Sequence, residues 1–223
     1  MQNICALIPA YNEEENIGNL VRGLLAGIKN VVVVDDGSID RTARQARESG
    51  AVVLRYQDCQ GKGAALRKGY DYCLSRGFEA VLNLDGDGQH DWREAGKFFK
   101  IAAETRAGII IGNRMREIKD MPRLRFLTNR VTSNIVSLLA RQKIEDSQCG
   151  YRLIQRTVLE KVKLSTAHFD TESELLIKAG RLGFKIVSVP IKTIYRGEVS
   201  KINKVVDTCR FIRLIWKSLW WRK

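Results

Sequence analysis

Two carboxylates stand one residue apart where an apolar run meets a glycine-containing turn, in the sequence Leu84-Asp85-Gly86-Asp87-Gly88. The apolar run before them, residues 80–84, predicts a buried strand, and the glycines let the backbone turn sharply as it leaves the sheet. Carboxylate oxygens are the ligands that Mg²⁺ and Mn²⁺ prefer, and both ions can bridge a diphosphate. The sequence therefore predicts a divalent-metal site with Asp85 and Asp87 as ligands.

Two other apolar runs also lead into acidic residues. Residues 4–9 are followed by Glu13, and residues 31–34 are followed by Asp35 and Asp36. Either Glu13 or Asp36 could serve only to cap or start a helix, because acidic side chains are favoured at helix N-termini. In an open α/β sheet, however, ligands bind outside the carboxyl ends of the strands. We therefore expect these strand ends and Asp85 to share one site.

Length and periodicity indicate one α/β domain. The 223 residues are 44% hydrophobic, and strands alternate with amphipathic helices along the chain. There is no secretory leader and no apolar run of about 18 residues or more, so we expect no membrane-spanning segment. The five cysteines are scattered and lack the paired spacing of zinc sites, which indicates reduced thiols in a cytosolic protein.

Positive charge is concentrated in two short segments. Residues 1–113 contain 14 Lys and Arg against 15 Asp and Glu, whereas residues 114–143 and residues 196–223 each contain 8 against 2. These two segments therefore carry almost all of the net charge of +13. Nucleic acid is the obvious partner of a basic chain, but we find no recognition motif for it and expect none to bind.

The second basic segment contains a helical pattern. One side of it is apolar, formed by Val205, Cys209, Ile212, Trp216 and Leu219, and another carries Arg210, Arg213 and Lys217. Tryptophan combined with Lys and Arg is typical of a helix lying on an anionic membrane surface. We expect residues 205–223 to form such a helix, separate from a domain over residues 1–204. The alternative is a helix packed on the domain with Trp216 in its core.

The first basic segment shows the same pattern over residues 123–143. Its apolar positions at helical spacing are Leu124, Leu127, Val131, Ile135, Leu138 and Leu139. This stripe could pack in the core or contact a membrane.

Six motifs occur in an order that resembles family 2 glycosyltransferases of the polyprenyl-phosphate mannose or glucose synthase type. The resemblance covers about residues 3 to 210, and Trp92 departs from it because many relatives have proline there. The motifs are Pro9-Ala10-Tyr11-Asn12-Glu13, Val33-Val34-Asp35-Asp36-Gly37-Ser38, Gly61-Lys62-Gly63-Ala64, Asp85-Gly86-Asp87-Gly88-Gln89-His90-Asp91, Asp146-Ser147-Gln148-Cys149-Gly150-Tyr151-Arg152 and Gly197-Glu198-Val199-Ser200-Lys201.

The resemblance implies a GT-A-like sandwich with a mostly parallel central sheet flanked by helices. It also implies a GDP- or UDP-hexose donor and Mg²⁺ or Mn²⁺ as cofactor. The implied metal ligands are Asp85, Asp87 and Gln89. The residues implied to hold the base and ribose are Pro9, Tyr11, Glu13, Val34 and Asp36, and Asp85 with Gly86 would lie against the rest of the donor.

The implied reaction transfers the hexose with inversion to a polyprenyl phosphate. The implied catalytic residues are Asp87, Asp146 and Arg114. Arg114, Arg196 and Lys201 would hold phosphates, and Glu172 would face the site. Asp146 would be the base for a hydroxyl acceptor and an orienting group otherwise.

The protein would act as a peripheral protein on the cytoplasmic face of the membrane. Three alternatives stay open: a family 2 transferase with a saccharide or other hydroxyl acceptor, a sugar nucleotidyltransferase, and a non-catalytic basic module that binds membranes.

Overall fold

A seven-stranded sheet forms the centre of the protein. The computed structural model describes residues 3–115, 123–192, 194 and 204–221. In chain order the strands are β1 (Ile4–Ala10), β2 (Asn30–Asp35), β3 (Val52–Arg55), β4 (Ala80–Asn83), β5 (Ile109–Asn113), β6 (Arg152–Gln155) and β7 (Ile186–Pro190). Helices flank the sheet, so the prediction of a mixed α/β fold is confirmed.

The helices alternate with the strands over most of the chain. They are α1 (Ile17–Leu25), α2 (Thr42–Glu48), α3 (Lys62–Ser75), α4 (Ala95–Thr105), α5 (Arg123–Ala140), α6 (Arg156–Lys161), α7 (Asp170–Arg181) and α8 (Lys204–Leu219). In the part of the chain that the structure describes, none of these helices is both long and apolar enough to cross a bilayer.

The strand order is β3-β2-β1-β4-β6-β5-β7, and six of the seven strands run in one direction. Only β6 is reversed, because it pairs antiparallel with β4 on one side and with β5 on the other. The carboxyl ends of the other six strands therefore lie along one edge of the sheet. The loop that leads into β6 reaches the same edge from the opposite direction.

The central strands are buried on both faces of the sheet, which explains why apolar residues do not alternate with polar ones in their sequences. Residues Cys5 to Ile8 of β1 have no exposed surface, as expected for a parallel strand covered on both faces. The helix α1 is amphipathic, and its buried apolar residues Ile17, Leu20, Val21 and Leu24 recur at the spacing of one helical face. This packing fixes the strand ends against which the site is built.

The helix α8 packs against α7 and α5 and is part of the fold. Its Leu214 is only 1% exposed, and the Arg181 guanidinium donates a hydrogen bond to the Ser218 carbonyl. The opposite face of α8 is open, with Trp216 67% exposed. The helix therefore packs on the domain, as one of the two sequence interpretations expected, but Trp216 is not the residue that it buries.

Candidate active site

The ends of β1 and β4 meet at Gly86, and the end of β2 adjoins them. Gly86 follows β4 and lies beside Ala10, which ends β1 and pairs with Asp35 at the end of β2. A Cβ on Gly86 would lie 3.3 Å from both the Glu13 Cγ and the Pro9 carbonyl oxygen, which places these two predicted donor residues beside the acidic turn. That these strand ends share one binding site stays a prediction.

The other predicted nucleoside-binding residues have different environments. Tyr11 is exposed at the same edge, and Val34 is fully buried in β2 opposite Pro9. The buried Asp36 carboxylate accepts hydrogen bonds from the backbone N–H groups of Gln60 and Gly61, both at 2.8 Å. Asp36 therefore holds in place the loop that leads into α3, and Gly61 begins that helix with a positive φ of 97° that suits glycine.

Asp85 lies in an ion-pair network that the sequence did not reveal. The Lys62 ammonium is 2.6 Å from Asp85 Oδ1 and 3.0 Å from Glu172 Oε2, which links α3, the acidic turn and α7. His90 Nε2 lies 3.7 Å from Asp85 Oδ2. Burial alone would raise the pKa of Asp85, but Lys62 and His90 outweigh burial and hold that pKa well below its usual range.

The loop before β6 packs directly on Asp85. A Cβ at Gly150 would overlap the Asp85 carboxylate, so only glycine allows this approach. The fully buried Arg152 guanidinium holds the loop by donating to the carbonyls of Ser147 (2.8 Å) and Cys149 (2.7 Å), and it also donates to the carbonyl of Glu172 (2.9 Å). Arg152 is a positioning residue in this arrangement.

Asp87 and Gln89 complete the acidic turn. Asp87 Oδ1 accepts a hydrogen bond from the Gln89 backbone N–H at 3.0 Å, and the side chains of both residues are half-buried. Burial and the neighbouring negative charge of Asp85 raise the pKa of Asp87. Two partly exposed carboxylates that repel each other suit a cation. The structure brings together no larger cluster of His, Cys, Asp or Glu that could hold a metal among the residues it describes.

The predicted catalytic residues Arg114 and Asp146 bind each other. Arg114 Nε is 2.8 Å from Asp146 Oδ2, a second guanidinium nitrogen is 2.9 Å from Oδ1, and the Arg114 backbone N–H also donates to this carboxylate at 3.1 Å. Burial would raise the pKa of Asp146, but the charge and hydrogen bonds of Arg114 more than offset it, so that pKa is lowered. A carboxylate held in this way is a weak proton acceptor.

Two predicted phosphate ligands, Arg196 and Lys201, lie outside the described residues, together with the rest of the motif over residues 197–201. The site residue that sequence reasoning missed is Lys62. It belongs to a motif that the sequence had singled out, so the signal was present, but its partners Asp85 and Glu172 lie far away along the chain.

A family model decides the assignment, since the model described as glycosyl transferase family 2 matches residues 5–163. The chain belongs to glycosyltransferase family 2. The prediction of a glycosyltransferase enzyme is thereby confirmed, and the interpretations as a non-catalytic membrane module or a nucleotidyltransferase are set aside.

Two relatives of this family 2 glycosyltransferase carry specific names. A UDP-N-acetylglucosamine–dolichyl-phosphate N-acetylglucosaminyltransferase of Methanococcus voltae is 30% identical over 215 residues, covering 86% of each chain. A polyprenol monophosphomannose synthase of Mycolicibacterium smegmatis is 31% identical over 204 residues, covering 85% of this chain and 77% of the relative.

The fold is also found in solved structures. Glucosyl-3-phosphoglycerate synthase from Mycobacterium tuberculosis, solved with Mn²⁺ and UDP-glucose, superposes with a TM-score of 0.77 at 19% identity, covering 97% of this chain and 79% of the other. The predicted GT-A fold is therefore confirmed.

Proposed function

We propose that this enzyme transfers a hexose with inversion from a GDP- or UDP-sugar to a polyprenyl phosphate, in a metal-dependent reaction at a membrane surface. The observation that carries this proposal is the Asp85–Asp87 turn, which stands half-buried at the carboxyl edge of the sheet beside Pro9 and Glu13. The names of the two relatives support the acceptor class, because both name a lipid phosphate.

The oxygen atoms available at the turn fit Mg²⁺ or Mn²⁺. Asp85, Asp87 and Gln89 would hold the ion, since all three offer hard oxygen ligands and are half-buried, so the cleft reaches them. When bound, the ion would neutralise charge on the departing diphosphate. Pro9, Tyr11, Glu13 and the Asp36 loop would hold the nucleoside on the adjacent strand ends.

A phosphate acceptor fits the Arg114–Asp146 pair better than a hydroxyl acceptor does. An acceptor phosphate oxygen is already anionic near neutral pH, so it can form its bond to the anomeric carbon without losing a proton while the bond to the diphosphate breaks. A hydroxyl would need a base, and Asp146 is fully buried and fully engaged with Arg114. In the proposed reaction Asp146 orients Arg114, and Arg114 supplies positive charge next to the acceptor phosphate. Arg196 and Lys201 are proposed as further phosphate ligands.

An open groove of about 680 Å³ lies next to this pair, and its lining includes the chain neighbours Asn113, Met115 and Glu145 but not Arg114 or Asp146. It lies between the end of β5, where Asn113 and Met115 line it, and α5, where Arg130 and Leu138 line it. Its walls combine cations with apolar side chains, as a lipid phosphate requires. The groove leads from the sheet edge to the surface of α5.

The outer faces of α5 and α8 expose large apolar side chains. On these two packed helices the exposed residues are Leu124, Leu127, Val131, Leu138, Val206, Ile212, Trp216, Leu219 and Trp220. Arg125, Arg130, Arg213 and Lys217 are exposed on the same helices. Apolar side chains beside positive charge fit the headgroup layer of an anionic membrane. We propose that this surface docks the enzyme on the cytoplasmic face.

One assay tests the proposal. Purified protein is incubated with Mg²⁺ or Mn²⁺, polyprenyl phosphate and each of a panel of radiolabelled GDP- and UDP-sugars, and label that enters organic solvent is counted. We expect transfer from at least one donor, and none in excess chelator. Label that appears only on added saccharide acceptors would support the hydroxyl-acceptor alternative, and full activity in chelator would contradict the metal site.

A further inference from the structure

Lys62 occupies a position that a metal ion on Asp85 would need. Its ammonium sits 2.6 Å from Asp85 Oδ1, within contact of the same oxygen that would coordinate an ion. The Lys62 side chain is 17% exposed and that of Asp85 is 25% exposed, so both are partly accessible to solvent. A carboxylate oxygen held by an ammonium group is less available to a second cation.

The other groups around Asp85 cannot give way easily. His90 is buried and stacks obliquely on Tyr151, with ring centroids 5.4 Å apart. Gly150 is buried and tied into the loop that Arg152 holds. Lys62 alone combines a long flexible stem with a second carboxylate partner, Glu172 at 3.0 Å. The Lys62 ammonium can therefore leave Asp85 and still be paired with the negative charge of Glu172.

Carboxylates outnumber cations around Lys62. Those of Asp85, Asp87 and Glu172 stand with Lys62 and Arg152, and Glu13 lies beside the same turn at Gly86. While the Lys62 ammonium stays on Asp85, its positive charge repels an incoming metal ion at that oxygen. A nucleoside diphosphate brings negative charge that attracts the ammonium away from Asp85, so the nucleotide favours binding of the metal ion.

We infer that Lys62 is a resident counter-cation, which occupies Asp85 in the free enzyme and passes to the donor diphosphate when the donor binds. The metal ion and the nucleotide then bind cooperatively, because each helps to displace Lys62 from Asp85. By linkage the nucleotide must strengthen metal binding by the same factor as the metal strengthens nucleotide binding. This inference rests on the proposed function, since it requires a metal ion at Asp85 and Asp87.

The experiment measures Mn²⁺ binding by electron paramagnetic resonance of the free ion, with no nucleotide and with saturating UDP or GDP. For the wild type we expect at least about tenfold tighter Mn²⁺ binding with one of the two nucleotides, in the usual range of coupling between sites. In Lys62→Gln, Mn²⁺ binding without nucleotide should tighten by at least about fivefold, and the effect of the nucleotide should shrink by a similar factor.

Lys68→Gln is the matched control. Lys68 lies on the same helix, but its ammonium contacts the Arg55 carbonyl at 2.6 Å and the ring of Tyr56, and it should therefore behave as the wild type. If Lys62→Gln does not fold by circular dichroism, Lys62→Arg replaces it. Its guanidinium should hold the carboxylates through more hydrogen bonds and weaken Mn²⁺ binding without nucleotide.

The outcomes separate the two proposals. Cooperative Mn²⁺ binding that is unchanged in the Lys62 variant would overturn the inference and leave the proposed metal site standing. Wild-type protein that binds no Mn²⁺ even with UDP or GDP would overturn the metal dependence of the proposed function, and with it this inference.

Discussion

Two ion pairs stand at the same edge of the sheet, and they are held very differently. Arg114 and Asp146 meet through a two-point guanidinium–carboxylate contact with side chains 6% and 0% exposed. Lys62 and Asp85 meet through one ammonium contact with side chains 17% and 25% exposed, and Lys62 has Glu172 as a second partner. A planar guanidinium fixes geometry, whereas an ammonium on a flexible stem can exchange partners. We therefore expect the Arg114–Asp146 pair to keep its geometry when the acceptor phosphate binds, and Lys62 to change partners when the donor binds.

Breaking the enclosed pair should have the largest effect. We expect Arg114→Ala to lower the free energy of unfolding by about 3 to 5 kcal/mol, since it leaves Asp146 charged and buried without its partner. Denaturant unfolding measures this loss.

Lys62→Gln should lower the free energy of unfolding by less than half as much, because water reaches Asp85. The exposed pair Arg44 and Glu48 provides the control, and Arg44→Ala should leave the unfolding midpoint close to that of the wild type. Equal losses of unfolding free energy in Arg114→Ala and Lys62→Gln would contradict the distinction between a rigid pair and an exchangeable pair.

A third buried carboxylate, remote from the proposed chemistry, extends the comparison to pH. Burial would raise the pKa of Glu174, but hydrogen bonds from Lys178, Ser165 and Thr166 lower it to about 2 from 4.5. A lowered pKa in the folded state stabilises the protein above pH 4.5, and this stabilisation is lost as the pH falls towards 2. Glu174→Gln should therefore cost about 3 kcal/mol at pH 7.

The pH profile is the test for Glu174. The stability difference between wild type and Glu174→Gln should be constant from pH 7 to about pH 5 and shrink below pH 4.5. Glu160→Gln, at an exposed pair with Arg156, should show little difference at any pH. A Glu174 difference that does not change with pH would contradict the assigned cause.

Loss of charge at the acidic turn should affect turnover and not folding. Asp87→Asn removes a proposed metal ligand but keeps the size of the side chain, so we expect normal unfolding and at least about a 100-fold loss of kcat. Asp91→Asn is the control, because Asp91 caps a short 3₁₀ turn by accepting from the Arg93 N–H at 3.0 Å and asparagine caps equally well. Wild-type turnover in Asp87→Asn would exclude Asp87 from the metal site.

The smallest effect is expected at the outer surface of α8. Trp216→Ser should weaken binding to anionic vesicles by about tenfold, since a large apolar side chain would no longer enter the headgroup layer. High salt should weaken binding of both proteins further. Val52→Ser, at an exposed apolar residue of the edge strand β3, should bind as the wild type does. Unchanged vesicle binding in Trp216→Ser would place the docking surface elsewhere, most simply on α5.

Local pattern was sufficient to predict the strand ends. Apolar runs followed by glycine and acidic residues identified the turn at Asp85 and Asp87 correctly, because burial and turn formation depend on neighbours in sequence. The ion pairs were not predictable in this way. Lys62 and Glu172 are 110 residues apart, and Arg114 and Asp146, each singled out separately, are 32 apart. Only the folded sheet brings such residues together. The helix α8 shows a related difficulty. Its amphipathic sequence predicts a helix but does not indicate which face packs on the domain.

The reversed strand β6 has a consequence for the order in which the enzyme can assemble during synthesis. The strands β1 to β4 are made first, and they pair with one another as one parallel unit. The strand β5 leaves the ribosome next, but its neighbours are β6 and β7, which are both made later. The strand β5 therefore has no strand to pair with until residues 152–155 have been made and insert between β4 and β5. Because a domain generally folds as a unit, this part of the sheet, and with it the Gly150 loop that packs on Asp85, is completed last.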